Sequence, residues 1–127
     1  MKDGFVIIDG HVHTFSNYEV AKKIIDSFNN IYDIAFENPG TGAIDDVLAN
    51  MDRTGIDYTV MANFAPPKIL HANNLWTIDI AKHNNRLVPL VSFHPDMKGR
   101  LWSFLECYTN EGAKGVKLHP MAQGYIL

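Results

Sequence analysis

The chain has 127 residues, 46% apolar and 20% charged, with a formal charge of −3. That is enough for one domain with its own core, and it excludes a disordered or low-complexity chain. Its lysines and arginines are scattered singly, without the basic stripe that a phosphate backbone requires, so no nucleic-acid partner is expected. The apolar runs are too short to span a bilayer, and Met1-Lys2-Asp3-Gly4 opens straight into a strand without a signal-peptide hydrophobic region. No membrane partner is therefore expected, and the location is read as cytoplasmic. A single cysteine, Cys107, fits a reducing compartment, and its helical surroundings make it a packed core thiol rather than a nucleophile.

The first strand is read near residues 5–9, in the apolar run that breaks off into Asp9-Gly10-His11-Val12-His13. In extended backbone Asp9, His11 and His13 project to one side, with the imidazole-bearing Cα atoms about 6–7 Å apart, a spacing suited to two nitrogens on one metal ion. Ala21, Ile24, Ile25 and Phe28 then form a helical stripe that Asn29-Asn30 ends, and 31–42 reads as an irregular excursion past the site, a connecting loop or a lid. Thr41 offers an N-cap to a helix striped by Ile44, Val47, Leu48 and Met51, and Gly55 closes it. A second strand at 58–63 is stopped by Pro66-Pro67. The helix at 75–85, capped by Asn73 or Asn74, turns Leu75, Trp76, Ile78 and Ile80 inward. A third strand at 87–94 ends at Pro95, Leu101, Phe104, Leu105 and Tyr108 mark a further helix ending near Gly112, and a fourth strand runs over 115–119.

This alternation predicts an α/β fold of parallel (β/α) units with right-handed crossovers. A doubly wound nucleotide-binding sheet carries a glycine-rich turn after its first strand, where this chain has two histidines, so a TIM barrel is favoured. A whole barrel takes about 250 residues. Residues 1–127 are thus read as a single partial barrel domain, about half of one, without the carboxyl-terminal half. The two strand edges left open predict self-association or a missing second half as partner.

Barrel enzymes build their sites from residues that follow the carboxyl ends of strands. Five of the six histidines fall there: His11, His13, His71, His94 and His119. His83 sits instead in the last turn of a helix, where exposed carbonyls favour an imidazole. His11 and His13 are the candidate metal ligands. His94 is read as pocket lining and His71 as an ordinary loop residue. On the last strand Val116 and Leu118 share one face and Lys117 and His119 the other, so packing of the apolar pair on the helices would turn Lys117 and His119 into the mouth. Lys117 pairs with an acid, binds an anionic substrate group, or is carbamylated between two metals; His119 polarises a carbonyl or caps the strand. Asp9 either orients an imidazole from behind or bonds nearby backbone. The sequence names no catalytic acid or base.

Three stretches, Ile7-Ile-Asp-Gly-His-Val-His13, Arg86-Leu-Val-Pro-Leu-Val-Ser-Phe-His-Pro95 and Gly112-Ala-Lys-Gly-Val-Lys-Leu-His-Pro120, resemble the amidohydrolase superfamily. The branch they resemble is the aminocarboxymuconate-semialdehyde decarboxylase-like metal-dependent hydrolases. The resemblance covers nearly the whole chain but only the amino-terminal half of the family domain. It implies that His11 and His13 ligate a divalent metal, zinc first among candidates, and that Lys117 and His119 occupy pocket positions. It also implies histidines after strands five and six and an aspartate after strand eight, which this sequence lacks. The expected activity is hydrolysis of a small-molecule amide, ester or lactone by metal-activated water, in this chain or in the enzyme of which it is a front half. The alternatives are nonoxidative decarboxylation at the same metal site, or a catalytically silent half-barrel that binds metal or a partner subunit.

Overall fold

The run Leu87-Val-Pro-Leu-Val-Ser92 forms the strand on which the helical layer is built. The computed structural model describes residues 3–32, 40–97, 99 and 101–126, with side chains except at 27–32. Strands β1 (Ile8–Val12), β2 (Tyr58–Met61), β3 (Leu87–Ser92) and β4 (Gly115–Lys117) form a parallel sheet in the order β1-β2-β3-β4. Helices α1 (Tyr18–Tyr32) and α2 (Ile44–Thr54) connect β1 to β2. Helix α3 (Leu70–His83) follows β2, α4 (Leu101–Glu111) follows β3, and a one-turn helix α5 (Pro120–Gln123) follows β4. The fold class is α/β. Among the described residues no helix is long and apolar enough to cross a membrane.

Two apolar clusters bind the helices to the sheet, and α3 joins them. Ile44 and Met51 of α2 pack with Met61 and Leu87, against Trp76 and Ile80 of α3. Ile78 of α3 packs with Val91, Tyr108 and Ala113, against Phe104. Burying each such large side chain contributes about 1.5–3 kcal/mol. Residues paired across a parallel ladder share a face, so Met61 opposite Pro89 and Leu87 opposite Thr59 lie on the helical side. Val60, Val88 and Leu90 carry the other face, half-buried.

Several expected boundaries shift. The first strand begins at Ile8 rather than residue 5, and it is an edge strand, so Phe5 and Ile8 are 74% and 59% exposed instead of buried. The second, third and fourth strands stop at Met61, Ser92 and Lys117, two residues short of the expected ends. Asn29 and Asn30 lie inside α1, and residues 33–39 of the expected excursion fall outside the described residues. Ala43, not Thr41, is the N-cap of α2, although the Thr41 hydroxyl accepts from the Ala43 N–H at 3.1 Å. Gly55 closes that helix in the left-handed conformation as expected. Helix α3 starts five residues early, which leaves Leu75 exposed and brings Leu70, Asn74 and Thr77 inward. Cys107 is exposed rather than packed, because its neighbour Tyr108 takes the inward position.

Gly42 fixes the exit from the first strand. Phe15 N–H donates to Gly42 O at 2.8 Å and Ile44 N–H to Phe15 O at 3.0 Å, holding the start of α2 beside the residue after Thr14. Gly42 has φ +64°, and a Cβ there would lie 2.8 Å from His13 O and 2.9 Å from the Phe15 ring. Both the left-handed backbone and the contact oppose a side chain. Gly42→Ala is expected to lower stability by about 1–3 kcal/mol. A urea midpoint unchanged from the parent's would refute this.

Candidate functional site

The sheet delivers its polar residues to one rim through an irregularity in β1. Asp9 pairs with Thr59 and Val12 with Met61, so β1 takes three steps where β2 takes two. This bulge reverses the alternation. Thr59 and Met61 share the helical face, so Asp9 and Val12 lie there as well, while His11 and His13 point to the opposite face. The expectation that Asp9 stands on the histidines' side is therefore corrected. Its carboxylate accepts from the backbone N–H of His11 at 3.2 Å, the backbone-bonding alternative.

His13 is the best-anchored member. Its Nδ1–H donates to Ala62 O at 2.9 Å, since a carbonyl can only accept, and this leaves the Nε2 lone pair free. The next residue, Thr14, is locked from below. Its N–H donates to Asn63 Oδ1 at 2.7 Å, and the Asn63 amide donates to the hydroxyls of Thr14 at 2.8 Å and Thr77 at 2.9 Å. The His13 pKa is lowered from 6.5 to about 4, chiefly by burial and also by His11, Lys117 and His119, against the Ala62 bond, which raises it. His13 is thus a neutral imidazole at physiological pH.

His11 stands edge-to-face to His13, ring centroids 5.0 Å apart. Ser92 pairs with Lys117 across β3 and β4, and Lys117 reaches across the open face until its Nζ is 3.5 Å from His11 Nε2. The ammonium is the donor, so Nε2 of His11 also presents a lone pair. Strands one and four, 106 residues apart in sequence, therefore meet at this point.

His119 lies two residues beyond the end of β4, outside the strand, where it caps α5. Its Nδ1 accepts from the Ala122 N–H at 3.2 Å, which puts the proton of the neutral ring on Nε2. Burial lowers its pKa, as does the Lys117 ammonium. Phe64 joins the two sides, its ring centroid 5.3 Å from His13 and 4.6 Å from His119.

His94 does not present a nitrogen to this cluster. It is 3% exposed, its Nδ1 accepts from the Asp96 N–H at 3.1 Å, and its Nε2–H donates to Gln123 O at 3.0 Å. Both nitrogens are engaged, so the expected pocket-lining role gives way to support beneath α5. His71 lies in the first turn of α3, not in a loop, and bonds the Tyr108 hydroxyl. His83 bonds Asp79 O in the last turn of α3, as its sequence position suggested.

As a metal site, the rim offers two imidazoles of the right tautomer, each with an Nε2 lone pair. Among the described residues no group of three or more His, Cys, Asp or Glu side chains could share one ion. A catalytic zinc site takes three protein ligands, so His11 and His13 fit part of such a set. Asn63, Phe64 and Gln123 belong to the site or its support and were not singled out in the sequence. Asn63 and Phe64 carry the same signal as the histidines, a place just after the carboxyl end of a strand. The chain matches no protein-family model, no curated protein and no solved structure.

Proposed function

We propose that this chain carries the amino-terminal part of a metal-dependent hydrolase site of the amidohydrolase type, on about half of a (β/α)8 barrel. The observation that supports it is the convergence of His11, His13, Lys117 and His119 at the carboxyl ends of β1 and β4. Sequential parallel order favours the half-barrel, because each strand adds beside the one before it. His11 and His13 would hold a divalent ion, zinc by ligand type, with further ligands from a second half-barrel or a partner chain. Such an ion lowers the pKa of a bound water toward ~7 and polarises the carbonyl under attack.

The chain's own residues have separable tasks on this reading. Ala62 O fixes the His13 ring so that its Nε2 lone pair faces the rim. Lys117 yields the His11 lone pair and offers its ammonium to an anionic group on a small-molecule amide, ester or lactone. His119, with its proton on Nε2, donates to a substrate oxygen. Decarboxylation at the same site would use the same residues. The two-imidazole donor set favours one further reading, a silent half-barrel that holds an ion or a partner without turnover.

The test is elemental analysis of zinc, manganese and iron on the purified chain after reconstitution, beside His11→Ala/His13→Ala, with oligomer mass measured on the same samples. One equivalent of metal in the parent and none in the variant is expected. Equal metal in both, or none in either, would remove the metal reading for this chain. Retained metal with neither hydrolysis of amide, ester or lactone substrates nor decarboxylation of carboxylate substrates would leave the silent half-barrel.

A further inference from the structure

Helix α5 has four residues, too few to hold a helical turn in water without tertiary support. One buried side chain ties it to the segments that follow β2 and β3. Gln123 is 7% exposed, and its amide nitrogen lies 3.1 Å from both Ala65 O and Phe93 O and 3.2 Å from Ser92 Oγ. Its Oε1 accepts from the His119 N–H at 2.9 Å, and its own backbone N–H donates to His119 O at 2.8 Å. The amide orientation is fixed by these partners. Reversing it would set oxygen against two carbonyls and NH2 against an N–H. His94 completes the arrangement by donating to Gln123 O.

We infer that Gln123 is the positioning residue of the rim. It pins the backbone of His119 on both sides to the segments that follow β2 and β3. The turn it holds brings the Ala122 N–H onto His119 Nδ1, and this contact selects the Nε2–H tautomer and keeps the ring against Phe64. Within the cluster Gln123 bonds only the backbone of His119, and it acts through that residue. The inference deepens the proposed site and rests on His119 belonging to it, but its test reads the state of His119 and not turnover or metal content. Failure of the metal reading therefore leaves it standing, and its own failure leaves the His11–His13 pair untouched.

The experiment is imidazole 15N NMR on the metal-free full chain and on Gln123→Met, which keeps the side-chain length and removes both polar ends. In the parent His119 is expected as a single Nε2–H tautomer with cross-relaxation to the Phe64 ring. In Gln123→Met the tautomers mix and the Phe64 contact weakens, while the His13 signals and the β1–β3 amides stay in place. A variant that keeps the His119 tautomer and its Phe64 contact overturns the inference. Hydrogen exchange on the parent needs no variant and decides the matter if Gln123→Met fails to fold. The His119 amide is expected to exchange as slowly as the β3 amides, and exchange at the rate of an open turn overturns the inference.

Discussion

Asn63→Ala is expected to lower the stability of the chain by about 3–5 kcal/mol, since each buried polar group left without a partner costs about 1–3 kcal/mol. Asn63 is 3% exposed and is the partner of the Thr14 N–H and hydroxyl. Thr14 is itself buried, so no water replaces the amide without opening the rim. Thr77 loses a donor but keeps its bond to Asn73 O, and the cost therefore concentrates on Thr14. A loss of this size is a large fraction of the total stability of a domain this small. Asn63→Asp separates the two halves of the amide. It keeps an acceptor for the Thr14 N–H but buries a charge and removes both donors, so it is expected to fall below the parent as well. Urea unfolding of the three proteins checks this, and an Asn63→Ala midpoint within 0.5 kcal/mol equivalents (about the scatter of surface substitutions) would show that the network is not holding the strand end. Because Thr14 follows His13, the same variant is expected to loosen the His13 ring from Ala62 O.

The α/β class and the order of strands and helices follow from hydrophobic periodicity, which is strong in α2, β3 and α4. The placement of His11, His13 and Lys117 on one side also follows from strand alternation. Asp9 does not, because a bulge between Asp9 and Val12 changes the phase of β1; the lone Gly10 inside the strand is the signal that permits a bulge there, without fixing which residues change face. Helix α3 shows the second kind of failure. Asn73 and Asn74 have the composition of an N-cap, yet Asn74 lies inside the helix and bonds both the N–H and C=O of Ser92. A tertiary partner decided its role, and local preference could not reveal that partner. The same holds for Gln123, whose amide nitrogen bonds Ala65, Ser92 and Phe93, 30 to 58 residues away in sequence. Composition and period describe what one element does alone; the support of the rim is made between elements.

Those interelement contacts also make the metal-free chain sensitive to pH. The His13 pKa is about 4 when folded and 6.5 as an unperturbed side chain, burial being the main cause. Between these values the unfolded chain binds the proton that the folded chain refuses, so stability rises with pH across this window. The contribution is fully present above pH 6.5, declines as pH falls, and is exhausted below about 4. Solvent reaches part of the ring, so its size is discounted to about 1–2 kcal/mol rather than the full shift. His119 adds a contribution of the same sign. Carboxylates with lowered pKa, such as Glu111 beside Lys82, contribute above their unfolded pKa and lose stability only in a more acidic range. These carboxylates are common to the parent and a His13 variant, so the difference in slope between the two reports on His13. His13→Gln is expected to flatten the slope of urea stability between pH 4.5 and 6.5, and a variant with the parent's slope would refute the assignment.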